Sequence, residues 1–186
     1  MTVVESREEL EVGDTAPSFE LPGADGNTYT LDHFREYEAV LIVFTCNHCP
    51  YAQAKNDELN RLHEQFDDLA VIGINPNDAE EYPDDSFERM KERVADREVR
   101  YFYLRDESQD VAEAYGAQCT PDPFLFRWTD DGDLELVYHG RLDDALNPDE
   151  EPSEFYMEQA VEQVLAGKTV EMEFRPAQGC SIKWKD

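Results

Sequence analysis

Apolar residues along this chain fall into two kinds of run, and the two kinds alternate. Ala39-Val-Leu-Ile-Val-Phe-Thr45 is continuously apolar until its end and rich in β-branched residues, the pattern of a strand buried on both faces. Leu69-Ala-Val-Ile-Gly-Ile74 repeats it. Between them Leu59, Leu62 and Phe66 recur at helical spacing among charged neighbours such as Asp57, Glu58, Arg61 and Glu64. Pro50 sits near the start of that pattern, where a helix tolerates a residue without an N–H. Strand, helix and strand in this order predict a right-handed βαβ unit with parallel strands.

The flanking segments extend this unit. Phe19-Glu-Leu21 and Thr28-Tyr-Thr30 bracket the turn formers of Pro22 to Asn27 and predict a hairpin, with a helical turn over Leu31 to Tyr37. After a Pro-, Asn- and Asp-rich loop, Asn75 to Asp85, Ser86 is placed to cap a helix carrying Phe87, Met90 and Val94 on one face. Arg100 to Leu104 reads as a third strand, and Ser108 to Tyr115 as a short helix stopped by Gly116. Phe124 to Trp128 and Leu134 to Tyr138 flank Thr129-Asp-Asp-Gly-Asp133 as an antiparallel hairpin, and Ser153 to Ala166 forms a last helix. The expected fold is α/β: a central mixed sheet flanked by helices, with an N-terminal hairpin. One domain is expected over residues 1–186, with a polar lead-in at 1–17 and an extended, irregular tail at 168–186.

Charge changes the picture of the surface. Asp and Glu number 44 against 16 Lys and Arg, a net charge of −28, although 40% of the chain is hydrophobic. A phosphate backbone would be repelled, which excludes nucleic acid as a partner. The acids run through every segment instead of forming one tail, and the basic residues are 11 Arg and only 5 Lys. Such self-repulsion is tolerable when salt screens it, so a halophilic origin is expected. No stretch approaches the ~20 apolar residues of a membrane span. Met1 to Leu10 also lacks the basic start and apolar centre of a signal peptide, so a soluble, cytoplasmic protein is expected.

The candidate chemistry lies where the first buried strand ends. Phe44-Thr-Cys-Asn-His-Cys-Pro-Tyr51 places Cys46 and Cys49 three residues apart at the expected start of a helix. There, unpaired N–H groups and the helix dipole favour thiolate over thiol. Two thiols at that offset are close enough to open and close a disulfide. His48, as a cation between them, would stabilise the Cys46 thiolate further. Cys46, His48 and Cys49 would also supply part of a zinc site, but no second closely spaced pair exists. Adjacent side chains on one turn do not easily converge on one ion, so no metal and no cofactor is expected.

This order, with CxxC after the first buried strand and Thr120-Pro121 before an edge hairpin, resembles the thioredoxin fold. The runs around Cys46, Ala114-Tyr-Gly-Ala-Gln-Cys-Thr-Pro-Asp122, Gly140-Arg-Leu-Asp-Asp144 and Gly179-Cys-Ser-Ile-Lys-Trp184 are similar to a peroxiredoxin-like thioredoxin family of the AhpC/TSA redoxin branch. The resemblance implies that Cys46 attacks, Cys49 resolves, and Pro121 follows a cis bond facing the active pair, where the backbone edge of Thr120 and Pro121 pairs with an extended substrate. Cys119 is an auxiliary thiol or a packing residue. Two positions depart from the family patterns. The buried acid that thioredoxins carry six residues before the first cysteine is Val40 here, leaving Asp122, Glu38 or water to take the proton of Cys49. Aligned on Cys49, the peroxiredoxin PxxxTxxC pattern meets Ile42 and Cys46 in place of proline and threonine.

The expected function is a thiol–disulfide oxidoreductase acting on a disulfide-bearing protein or small molecule and reset by a thiol reductant. A peroxiredoxin-like thiol peroxidase is the alternative, and a non-catalytic thioredoxin-like binding module the third reading.

Overall fold

The computed structural model describes residues 2–186, and its centre is built from the most apolar runs of the chain. β4 (Ala39–Phe44) and β5 (Leu69–Asn75) are buried at every position and pair in parallel, Ala39 opposite Leu69 through Phe44 opposite Ile74. β6 (Phe102–Arg105) adds in parallel beside β5, while β8 (Asp122–Trp128) runs antiparallel along the other side of β4. β9 (Leu134–His139) closes the sheet, giving the order β6-β5-β4-β8-β9.

Successive strand residues point to opposite faces, so each buried strand feeds two cores. Val40, Ile42 and Phe44 join the N-terminal segment and α3 (Asp110–Tyr115) on one face. Ala39, Leu41 and Val43 meet α1 (Pro50–Gln65), α2 (Phe87–Ala95) and α4 (Tyr156–Leu165) on the other. The Ser86 hydroxyl accepts from Arg89 N at 3.2 Å to cap α2. Gly116, at φ 66°, ends α3 in the left-handed region where a Cβ would be strained. The N-terminal hairpin joins β2 (Glu20–Pro22) to β3 (Thr28–Thr30), followed by a 3₁₀ turn over Leu31–Phe34.

Two features depart from the expected layout. The tail is not wholly irregular: β10 (Gln178–Ser181) pairs antiparallel with both β1 (Val3–Glu5) and the two-residue β7 (Cys119–Thr120), as a separate small sheet. The cysteine pair also stands before α1, not on its first turn. Pro50 occupies the first helical position, Cys49 caps it in an extended conformation, and Cys46 lies in the turn leading from β4.

Among the described residues, no helix is long and apolar enough to cross a membrane. Several surface ion pairs are exposed i,i+3 contacts, such as Arg89–Glu92 and Lys91–Glu88, worth ~0.5 kcal/mol or less each. Each pair cancels one acid against one base, so the net charge of −28 stands whole. Melting across a salt series is expected to show stability rising toward about 1 M, where the Debye length falls to ~3 Å. A flat or falling curve would remove the salt-adapted reading of the surface.

Candidate functional site

The site forms where the end of β4, the start of α1, β7 and β10 meet. Cys46, Cys49 and Cys180 pack with Ala52 in one buried cluster against Tyr51. Their exposures are 1%, 0% and 1%, so no sulfur faces solvent. Cys49 is bonded not to Cys46 but to Cys180, with Cα atoms 6.3 Å apart across 131 residues of sequence, and Cys46 is a free thiol. The expected Cys46–Cys49 bond is thus replaced by one reaching into the C-terminal strand.

Thr120 touches all three sulfur positions. Its hydroxyl lies 3.3 Å from Cys46 Sγ, its carbonyl oxygen 3.5 Å from Cys49 Sγ, and its backbone stands opposite Cys180 in the β7–β10 register. The Thr120–Pro121 peptide is cis. Only glycine fits at 179, because a Cβ there would overlap the Thr120 carbonyl.

Burial pushes the Cys46 thiol up to about 12, and the Asp85 carboxylate adds to the rise; the Thr120 hydroxyl and the amides of Cys49 and His48 oppose it. The sequence expectation had the sign reversed for this state. His48 hydrogen-bonds through Nδ1 to buried Asp85 and stacks on Tyr82, so its ring is tied to a carboxylate before it can act on Cys46. Asp85 also accepts from Asn47 N at 2.6 Å and Asn77 Nδ2 at 3.0 Å. Asn47 in turn locks the turn in place: its Oδ1 accepts from Tyr103 Oη at 2.6 Å and Arg93 Nη1 at 2.8 Å.

Asp122 is buried, but one carboxylate oxygen pairs with His139 Nε2 at 2.7 Å and the other accepts from Gln118 N at 3.0 Å. Cys119 is buried on that side, its thiol donating to Pro121 O at 3.5 Å, and burial with the Asp122 charge pushes it strongly up. Glu38 is at the opposite end of β4, where its amide donates to Asp68 O.

Residues 12–136 match the AhpC/TSA family. The chain belongs to the AhpC/TSA family. Peroxiredoxin Bcp of Bacillus subtilis is 26% identical over 108 residues, 57% of this chain; the chain spans 64% of that relative's length. A crystal structure of an uncharacterized conserved protein from Geobacillus kaustophilus is 39% identical, with a TM-score of 0.90 over 100% of this chain and 97% of that one. A putative thiol:disulfide interchange protein DsbE from Chlorobium tepidum is 18% identical, with a TM-score of 0.59 over 86% and 98% of the two chains. That last likeness shows the fold alone, which is thioredoxin-like.

Within this AhpC/TSA scaffold, the expected failure of side chains on the cysteine turn to converge is corrected: two of them do so, together with a carboxylate from the loop after β5. Cys46, His48 and Asp85 bring Sγ, a ring nitrogen and a carboxylate oxygen within 4.8 Å of one another. Each already has a hydrogen-bond partner: Cys46 has Thr120, and His48 and Asp85 have each other. Asp85 is the residue that sequence reasoning passed over; Asn47 is uninformative in sequence, and Cys180 is legible there only as a further thiol with no assigned role, not as the partner of Cys49. A burial signal for Asp85 was absent, because it is one of 44 acids and sits in a polar loop.

Proposed function

We propose that the protein is a thiol–disulfide oxidoreductase in which Cys46 attacks and Cys49 resolves. The observation that carries this reading is the free Cys46 thiol packed beside a disulfide on Cys49, with donors already aimed at its sulfur. In the reaction, the Cys46 thiolate attacks one sulfur of a substrate disulfide; a Cys46 mixed disulfide forms and one thiolate leaves. Cys49 then attacks Cys46 Sγ and releases the second thiol, so two protein thiols are oxidised as one substrate disulfide is reduced. The substrate is a disulfide-bearing protein or small molecule, with the Thr120-Pro121 edge as its platform. A thiol reductant of the cytoplasm resets the pair. His48 tunes Cys46 through its bond to Asp85, and Cys119 and Asp122 are auxiliary.

Family membership and the Bcp relative favour a second reading, a thiol peroxidase. There Cys46 or Cys49 would attack peroxide to give a sulfenic acid and release water or an alcohol. The other cysteine would then condense with it, releasing water.

Rates of reduced protein with a disulfide and with hydrogen peroxide, in high salt, separate the two. Faster disulfide turnover is expected, with Cys46→Ser losing on the order of 10³-fold or more and Cys49→Ser stalling as a mixed disulfide on Cys46. Faster peroxide turnover would establish the second reading instead. Inertness to both, with unmodified thiols, would leave a binding module.

A further inference from the structure

We propose that Cys180 is a third redox-active cysteine, taking Cys49 over from Cys46 in an internal disulfide relay; this rests on the reading of Cys46 as the attacking thiol. The juxtaposition of a reduced Cys46 with a Cys49–Cys180 bond is the end state such a relay would leave.

The chemistry balances without a further reactant. After substrate reduction the oxidised pair is Cys46–Cys49. The Cys180 thiol loses its proton and attacks Cys49 Sγ; the Cys49–Cys180 bond forms, the Cys46–Cys49 bond breaks, and the Cys46 thiolate leaves and is protonated. No electron is gained or lost in this exchange. Over the cycle Cys49 and Cys180 supply two electrons to the substrate disulfide, and a dithiol reductant later restores both.

Three features of the site suit the transfer. The attacking and leaving sulfurs share one buried cluster with Cys49, so the exchange needs no distant partner. The leaving sulfur is met by the Thr120 hydroxyl and by the amides of His48 and Cys49, which favour its anionic form. Cys180 is brought to the site by backbone pairing, not by a loop. β10 lies along β7 with Cys180 opposite Thr120, and Gly179 permits the close approach.

The transfer also changes what the site presents. β10 occupies the free edge of β7, in the way an added polypeptide strand would. The segment beyond it is fastened over the Asn75–Asp85 loop, Lys183 N donating to Asn77 Oδ1 at 2.9 Å and Lys183 O accepting from Asp78 N at 2.8 Å. A buried Cys46 held at about 12 is what this closed, oxidised state shows. Oxidation of Cys180 thereby both regenerates the attacking thiol and withdraws it until a reductant opens the strand.

Reduced protein mixed with cystamine, a cationic disulfide suited to a chain of net charge −28, tests the relay by time-resolved alkylation and disulfide peptide mapping. A Cys46–Cys49 crosslink is expected first, decaying as Cys49–Cys180 rises. Cys180→Ser is expected to stop at Cys46–Cys49, and Cys46→Ser to slow Cys49–Cys180 formation at least about a hundredfold. If wild-type protein stops at Cys46–Cys49, or if Cys49–Cys180 forms as fast in Cys46→Ser, the relay is overturned while Cys46 reactivity still supports the oxidoreductase. If cystamine never modifies Cys46, both fall. The wild-type time course decides even where a variant does not fold.

Discussion

Reduction of the Cys49–Cys180 disulfide is expected to lower the melting temperature by roughly 10 °C. The bond joins residues 131 apart, so it removes a large part of the conformational freedom of the unfolded chain. Loop-closure entropy bounds the stabilisation at about 5 kcal/mol for a loop of this length, and measured disulfides typically give 2–4 kcal/mol. For a chain of this size each kcal/mol corresponds to about 2–4 °C. The native state adds a local consequence, since β10 is held by short pairings to a three-residue β1 and a two-residue β7. Thermal melts with and without reductant measure the effect. Cys180→Ser should lose most of the dependence on reductant, keeping only the small effect of a short Cys46–Cys49 loop, whereas Cys46→Ser should retain it. Equal melting of oxidised and reduced wild type would mean that the bond spans segments already fixed in the unfolded ensemble.

This long-range bond marks the boundary of what the chain discloses on its face. The five-stranded sheet was legible because β4 and β5 are continuous apolar runs and α1 carries Leu59 and Leu62 at helical spacing. β10 was not, because Gln-Gly-Cys-Ser has no alternation and its pairing depends on a close approach at Gly179. The location of the chemistry was legible from Cys46, Cys49 and Thr120-Pro121. The pairing was not: four cysteines allow three ways of forming two bonds, and local spacing favours the neighbour over a partner 131 residues away. The thiol environment was misread for a similar reason. An N-terminal helix dipole and a histidine are visible in sequence, whereas burial of Cys46 and of an opposing carboxylate is a tertiary outcome.

That carboxylate carries the other large expected effect. Asp85→Ala should destabilise the protein by about 3–5 kcal/mol, because it strips acceptors from buried donors and removes the partner of His48. The donors are the amide of Asn47 at 2.6 Å and the side chain of Asn77 at 3.0 Å, so the cysteine turn itself is loosened. Asp85→Asn keeps the size and an acceptor but deletes the charge. After burial, the Asp85 charge is the next cause holding the Cys46 thiol at about 12, so this variant should lower that value. The native fold favours the protonated thiol, whose ordinary value is 9.0. Its contribution to stability is therefore complete below about pH 9 and lost as pH rises toward about 12, a window that narrows from above in Asp85→Asn. At a fixed pH below that window, oxidised Asp85→Asn should alkylate at Cys46 faster than wild type, with its pH profile displaced to lower pH. Mass-spectrometric alkylation rates of the Cys46 peptide against pH, beside a denaturant titration of both variants, read the two effects separately. A Cys46 profile unmoved by Asp85→Asn would confine Asp85 to holding the turn, and the restraint on the thiol would then come from burial alone.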